Sequence, residues 1–428
     1  MTDRFASRRS DCATLTWVLG IFGILTAWEI ARHLVLNDVD TVLLVLLLPA
    51  MTMALYELSA LKVHRRPSTG LDFSLPLNGW NIGRCTFKLL AHWCCWSAIA
   101  LYYWCSKENQ EMARADVVFA AILRLLPILV ILSPIYIILT DRNQTTPLDE
   151  AWQFGRWITK RPGASLTEGA KQFALSYALR AFFLPWALAA IPGLMHASEM
   201  SLLDVVHLTP RSILAYLIAK ALVVETIFVA IGYSLALRVL DTHYKATFSH
   251  VGAWIVTLIC YYPFSNSAIT WFNHYEPAKD WTSLIPKGSA LDFMWCVLIA
   301  SALGTNLVAN ISFGLRFSNL SRRGLNTAGL YRYFAHPSYF AKVINWWLIY
   351  LPFVPSNGVA EAVRSLILMC AITLIYYLRG RAEQNELSDD PQYLEHLARI
   401  RATGAWAQIK NLTRFASRRS TISWEERA

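Results

Sequence analysis

The chain has 428 residues, of which 55% are hydrophobic and only 16% charged, with 17 tryptophans and a formal net charge of +10. Soluble domains carry about 25% charged residues, so this composition, with a mean hydropathy of +0.36, excludes a water-exposed globular surface. The positive charge gathers between apolar segments and at the ends of the chain, as in loops that face anionic lipid, which argues against nucleic acid as a partner.

A helix needs about 20 apolar residues to cross the hydrocarbon. In chain order the candidate spans are Ala13 to Val35, Thr41 to Leu61, Leu89 to Cys105, Val117 to Leu139, Phe173 to Met195 and Ser212 to Val239. Val251 to Phe264, Leu291 to Phe313, Phe340 to Phe353 and Val359 to Leu378 follow. The Val251 and Phe340 segments are short for a full crossing. Arg4, Arg8 and Arg9 precede a first stretch of full spanning length, which reads as a transmembrane helix and not as a cleavable signal peptide. Basic residues crowd the loops after the second, fourth, sixth and eighth spans and the C-terminal tail. This alternation places both termini in the cytoplasm and predicts about ten spans. The expected fold is all-α, a polytopic integral membrane helical bundle. The basic loop from Asp141 to Gln172 carries Trp152, Trp157 and an Arg161-Pro162-Gly163 turn, and has room for an interfacial helix. Ser265 to Ala290, rich in Trp, Asn and Pro, is an outside loop that reads as an aromatic belt, with a lid or plug as the alternative.

Eight cysteines are scattered, mostly inside apolar runs, with no CxxC or Cys/His ligand spacing, so no disulfide framework and no metal site is expected. Charges inside apolar segments are functional candidates by default. Glu57 and Arg124 sit near span ends, where long side chains snorkel, and Lys220 with Glu225 is the best candidate for a buried pair. His243, His250 and His274 read as surface loop histidines. The heptapeptide Arg4 to Ser10 recurs at Arg414 to Ser420, a pair of basic tethers.

From Ser318 the chain changes character. It carries Tyr331-Arg332-Tyr333, then His336-Pro337-Ser338-Tyr339, then Asn345-Trp346-Trp347, and after a further apolar stretch Arg379-Gly380-Arg381-Ala382-Glu383 with Glu386, and Asp390-Pro391-Gln392-Tyr393. Glu383 and Glu386 are three apart, hence on one helix face, where carboxylates suit an ammonium or ribose hydroxyls. Arg332 and His336 suit a carboxylate through charge-assisted hydrogen bonds. Tyr331, Tyr333 and Tyr339 can stack on adenine or lie against a sulfonium.

Over about a hundred residues, near Ser318 to Thr413, this combination resembles the C-terminal half of isoprenylcysteine carboxyl methyltransferases and their phospholipid-methyltransferase-like relatives. The resemblance implies that S-adenosylmethionine is held by Tyr331, Arg332, Tyr333, His336, Pro337, Tyr339, Glu383 and Glu386. A lipid or isoprenoid-like acceptor would enter from the bilayer, oriented by Arg381, Asn345 and His396. Ala335 stands where the family usually has Arg, Leu330 where it usually has Pro, and Ala341 where Gly is common. The expected organisation is an N-terminal bundle of unassigned family over 1–290, the methyltransferase-like module over 291–413 and a basic tail over 414–428. Two other classes stay open. One is an NADPH-dependent membrane reductase of the sterol-reductase type, which has a related His-x-x-Tyr turn. The other is a non-catalytic transporter or scaffold that keeps a degenerate cofactor module.

Overall fold

The computed structural model describes residues 10–74, 81–106, 115–161, 163, 165–261, 264, 281–350 and 358–410. Both copies of the repeated heptapeptide apart from Ser10, the basic tail, Pro162, His274 and most of the 265–290 loop lie outside the described residues. The fold is an all-α bundle. Helices occupy Thr14–His33 (α1), Asp38–Ser59 (α2), Ile82–Ser106 (α3), Ala115–Asn143 (α4), Glu150–Ile158 (α5), Glu168–Val205 (α6) and Pro210–Ser234 (α7). They continue at Val251–Leu258 (α8), Trp281–Leu284 (α9), Ala290–Ile311 (α10), Pro337–Tyr350 (α11), Val359–Glu386 (α12) and Pro391–Thr403 (α13).

Seven of these, α1, α2, α4, α6, α7, α10 and α12, are long and apolar enough to cross a membrane. Many of their apolar side chains face outward, as on α4, where Ile128, Val130, Ile131 and Leu132 are exposed. Such a surface is stable only against lipid, so the chain is an integral membrane protein. Each of the ten expected segments contains a helix, but not all ten qualify as spans. At 8 and 14 residues, α8 and α11 are too short as described. The 25 residues of α3 are amply long, but Arg84, Lys88 and His92 make it more polar than the seven. The expected helix of the 141–172 loop is α5, capped by Asp149 accepting from Trp152 N.

By its internal packing the chain divides into two compact units, 14–257 with 313–324, and 1–13 with 258–312 and 325–428. The first therefore ends near Thr257 and also claims a segment from beyond α10. In that first unit α1 and α2 pack through small residues. A Cβ on Gly23 would stand 2.6 Å from Pro49 Cα. α7 comes so near the 314–317 turn that a Cβ on Gly232 would lie 2.3 Å from Phe317 O.

The 313–324 segment is held here by two buried arginines and a short antiparallel pairing of Ala246–Thr247 (β1) with Ser321–Arg322 (β2), in register Ala246↔Arg322 and Thr247↔Ser321. Arg323 donates to the carbonyls of Gly232 (2.6 Å), Leu235 (3.0 Å), Thr242 (2.6 Å) and Phe317 (2.9 Å). It thereby satisfies orphan carbonyls at the end of α7. Burial pulls its guanidinium down to about 10. Arg316 pairs with Glu57 at 2.8 Å, so Glu57, expected to snorkel, is instead fully buried. Lys220 does not pair with Glu225. Five residues turn a helix by about 140°, and Lys220 Nζ lies over the Trp28 ring at 3.4 Å. Arg124 reaches Asp40.

In the second unit, α10, α11 and α12 are pinned by indoles. Trp295 Nε1 donates to Leu348 O (2.9 Å) and Trp347 Nε1 to Thr373 Oγ1 (2.9 Å). Ser338, at the start of α11, donates to Asn306 on α10 (2.7 Å). The chain's beginning joins this unit: Asp11 N donates to Leu325 O (3.0 Å), and Asp11 accepts from Leu325 N (2.9 Å).

Candidate functional site

The second unit brings the two separated motifs together. Pro337 opens α11, where its missing N–H costs nothing. His336 precedes it, and Tyr339 falls within the first turn. Glu383 lies three residues before the end of α12, 44 positions beyond Tyr339. His336 Nδ1 donates to Glu383 Oε2 at 3.1 Å, and the Tyr339 hydroxyl donates to Glu383 Oε1. Gln384 Nε2 donates to His336 Nε2 at 3.2 Å. These two contacts, one on each ring nitrogen, fix the orientation of the imidazole. The His336 and Tyr339 rings stack, with centroids 5.6 Å apart and planes within 10°.

Arg379 closes the other side. Its guanidinium lies over Tyr339 at 4.7 Å, Tyr376 at 5.8 Å and Tyr261 at 5.9 Å, and only 3% of the residue is exposed. Gly380 makes room for the imidazole, since a Cβ there would stand 3.3 Å from His336 Cδ2. From α13, Tyr393 is buried with its hydroxyl unbonded among the described residues. Burial and the Glu383 charge hold the Tyr331 and Tyr393 hydroxyls well above their ordinary value. The turn carrying Tyr331 and Tyr333 is tied to the end of α13 by Ala405 N donating to Tyr333 O at 3.2 Å.

Of the eleven residues read from sequence, His336, Tyr339 and Glu383 are in direct contact, with Pro337 between two of them and Tyr331 electrostatically coupled to Glu383. Arg332 and Tyr333 are exposed, and Arg332 lies 6.0 Å over the Tyr333 ring. Glu386 ends α12 one turn further on, half-buried. Asn345, along α11, has a buried Oδ1 unbonded among the described residues. His396 is buried against Arg399, whose Nη2 donates to its Nδ1 at 3.0 Å. Arg381 is exposed and does not join the cluster. Two residues turn a helix by about 200°, which puts Arg381 opposite Glu383. Arg379, four residues before Glu383, shares its face. That spacing was available in the sequence and marks Arg379, which sequence reasoning missed together with Gln384 and Gly380.

Fold and site together define an all-α integral membrane protein with a half-buried His–Glu–Tyr cluster where α11 begins and α12 ends. Residues 236–393 match the family DUF1295, described as a protein of unknown function. The match takes in His336, Tyr339, Arg379 and Glu383 and ends on Tyr393. No curated protein matches the chain, and no solved structure does.

Proposed function

We propose that the chain is a membrane-embedded methyltransferase of the isoprenylcysteine carboxyl methyltransferase-like kind, transferring a methyl group from S-adenosylmethionine to a lipid or isoprenoid-like acceptor at the cytoplasmic face. The observation that supports this is the convergence of the His336 turn and the Glu383 helix on one cluster. The fit rests on donor chemistry. Tyr393 and Asn345 bury polar atoms unbonded among the described residues, and such atoms ordinarily have partners. Tyr393 and Glu383 would take the hydroxyls and ammonium of the cofactor, Arg379 its carboxylate, and the Tyr339 and Tyr376 rings its purine or sulfonium, which leaves Asn345 for the acceptor.

S-adenosylmethionine would supply the electrophilic methyl. The chain's own task is then positioning. His336 and Tyr339 fix the Glu383 carboxylate from two sides, and the aromatic wall around Arg379 keeps water away. The acceptor, arriving sideways from the bilayer, would present a carboxylate or headgroup to Asn345 and His396. The purified chain, given methyl-labelled S-adenosylmethionine and total membrane lipid, should yield a labelled organic-soluble product. Release of unlabelled lipid alone, with the cofactor recovered intact, would remove the reading.

A second reading, an NADPH-dependent membrane reductase, draws on the hydrogen-bonded run from His336 through Glu383 to the Tyr339 hydroxyl. Methyl transfer needs no such proton path, whereas reduction of a double bond does. Competition by NADPH for the same site separates the two.

A further inference from the structure

The first unit contains a cavity of about 290 Å3, far in sequence from the His336–Glu383 cluster. That volume is near the lower end for small-molecule pockets, about 300–1,000 Å3. Four cations line it, Lys88, Arg180, Arg238 and Lys245, against two acids, Asp149 and Glu150. Three of the four are already neutralised. Lys88 pairs with Asp141 (2.9 Å) and Asp149 (3.2 Å), Arg238 with Glu150 (3.4 Å), and Lys245 with Asp241 (3.2 Å).

Arg180 is different. It is 8% exposed and meets no carboxylate among the described residues. Its guanidinium lies between two rings, 4.5 Å from Tyr177 and 4.9 Å from Tyr244, and its Nε makes no hydrogen bond there. Aromatic neighbours hold a guanidinium in place without cancelling its charge, which leaves it able to bind an oxyanion. Around the same cavity, the Tyr244 hydroxyl, Thr247 Oγ1 and His243 Nδ1 are all buried and without a hydrogen-bond partner among the described residues. His243, expected at the surface, is here held neutral: burial and then Arg238 and Lys245 press it down to about 2. An uncompensated buried cation beside unused hydroxyls is costly unless an anion completes it.

We propose that this cavity is a second ligand site that takes a phosphate monoester, with Arg180 as its counter-charge and Tyr244 and Thr247 as its hydroxyl donors. The phosphate belongs either to a small soluble molecule or to a lipid headgroup, and both place the same oxygens against Arg180.

The test uses the full chain in phosphatidylcholine nanodiscs. Its unfolding midpoint is followed in one arm against added glycerol 3-phosphate, and in a second arm with phosphatidate included in the disc. A saturable rise is expected in one arm, which identifies the source. The apparent affinity should weaken by at least about tenfold in Arg180→Gln. Tyr244→Phe, which removes one oxygen and keeps the ring, should weaken it several-fold. Arg32→Gln, at an exposed pair on α1, should leave it unchanged. If Arg180→Gln does not fold, Tyr244→Phe and Thr247→Val carry the comparison. No saturable rise in either arm, or equal affinity in wild type and every folded variant, overturns the proposal.

Discussion

Arg316 Nη1 stands 2.8 Å from Glu57 Oε1 with neither side chain reaching solvent, although 259 positions separate them. Arg316 also donates to Leu240 O at 3.2 Å and lies 3.9 Å from Asp241, so one guanidinium ties α2 to the loop beyond α7. Breaking a buried pair strands a charge, at a cost of about 3–5 kcal/mol, whereas replacing both members by apolar residues is often neutral. Arg316→Met should therefore lower the unfolding midpoint strongly, as should Glu57→Leu. The double variant should recover much of the loss, which a thermal melt in detergent reads directly.

The approach of Gly380 to His336 sets a steric prediction. A methyl at 3.3 Å from Cδ2 asks the imidazole to give by a few tenths of an ångström, so Gly380→Ala should be mild. Gly380→Leu should drive the ring off Glu383 and reduce cofactor affinity by about tenfold, with the fold retained. Circular dichroism and cofactor titration on the same preparation separate the two effects.

His396 carries a pH signature. Burial, then Arg399, pushes its pKa from the ordinary 6.5 to about 4. Between those values the unfolded chain binds a proton that the folded chain refuses, so stability falls as pH drops through that window, and the His396 contribution is lost in full below it. Protonation would also set a second donor against Arg399 Nη2. His396→Asn should show a smaller drop in unfolding midpoint between pH 7.5 and pH 5 than wild type.

Ala335 stands where the resembled family carries Arg. Ala335→Arg restores a guanidinium beside His336 and, on the proposed reading, should tighten S-adenosylmethionine binding by about five- to tenfold. Calorimetric titration of the two proteins gives the comparison.

Much of the architecture was legible because apolar runs of spanning length declare themselves without neighbours. α1, α2, α4, α6, α7, α10 and α12 follow from composition alone. The two ends of the cluster were legible too, since His336-x-x-Tyr339 and Glu383 are chemically distinctive. What the pattern did not carry is pairing across long sequence separation. Nothing local to Glu57 announces Arg316, and nothing local to His243 announces a cavity. Arg379 is a different case, because helical phase alone puts it on the Glu383 face and Arg381 opposite. Nor does anything local to 313–324 announce that it packs with 14–257, since that depends on the carbonyls that Arg323 collects.

The cluster's role as a cofactor site is tested most directly by equilibrium binding of labelled S-adenosylmethionine to the purified full chain in detergent. Wild type should bind saturably, with affinity weakened by about tenfold or more in Glu383→Gln and His336→Ala and unchanged in Arg401→Gln, at an exposed position on α13. Absence of saturable binding in wild type, or equal binding in all four proteins, would contradict the account.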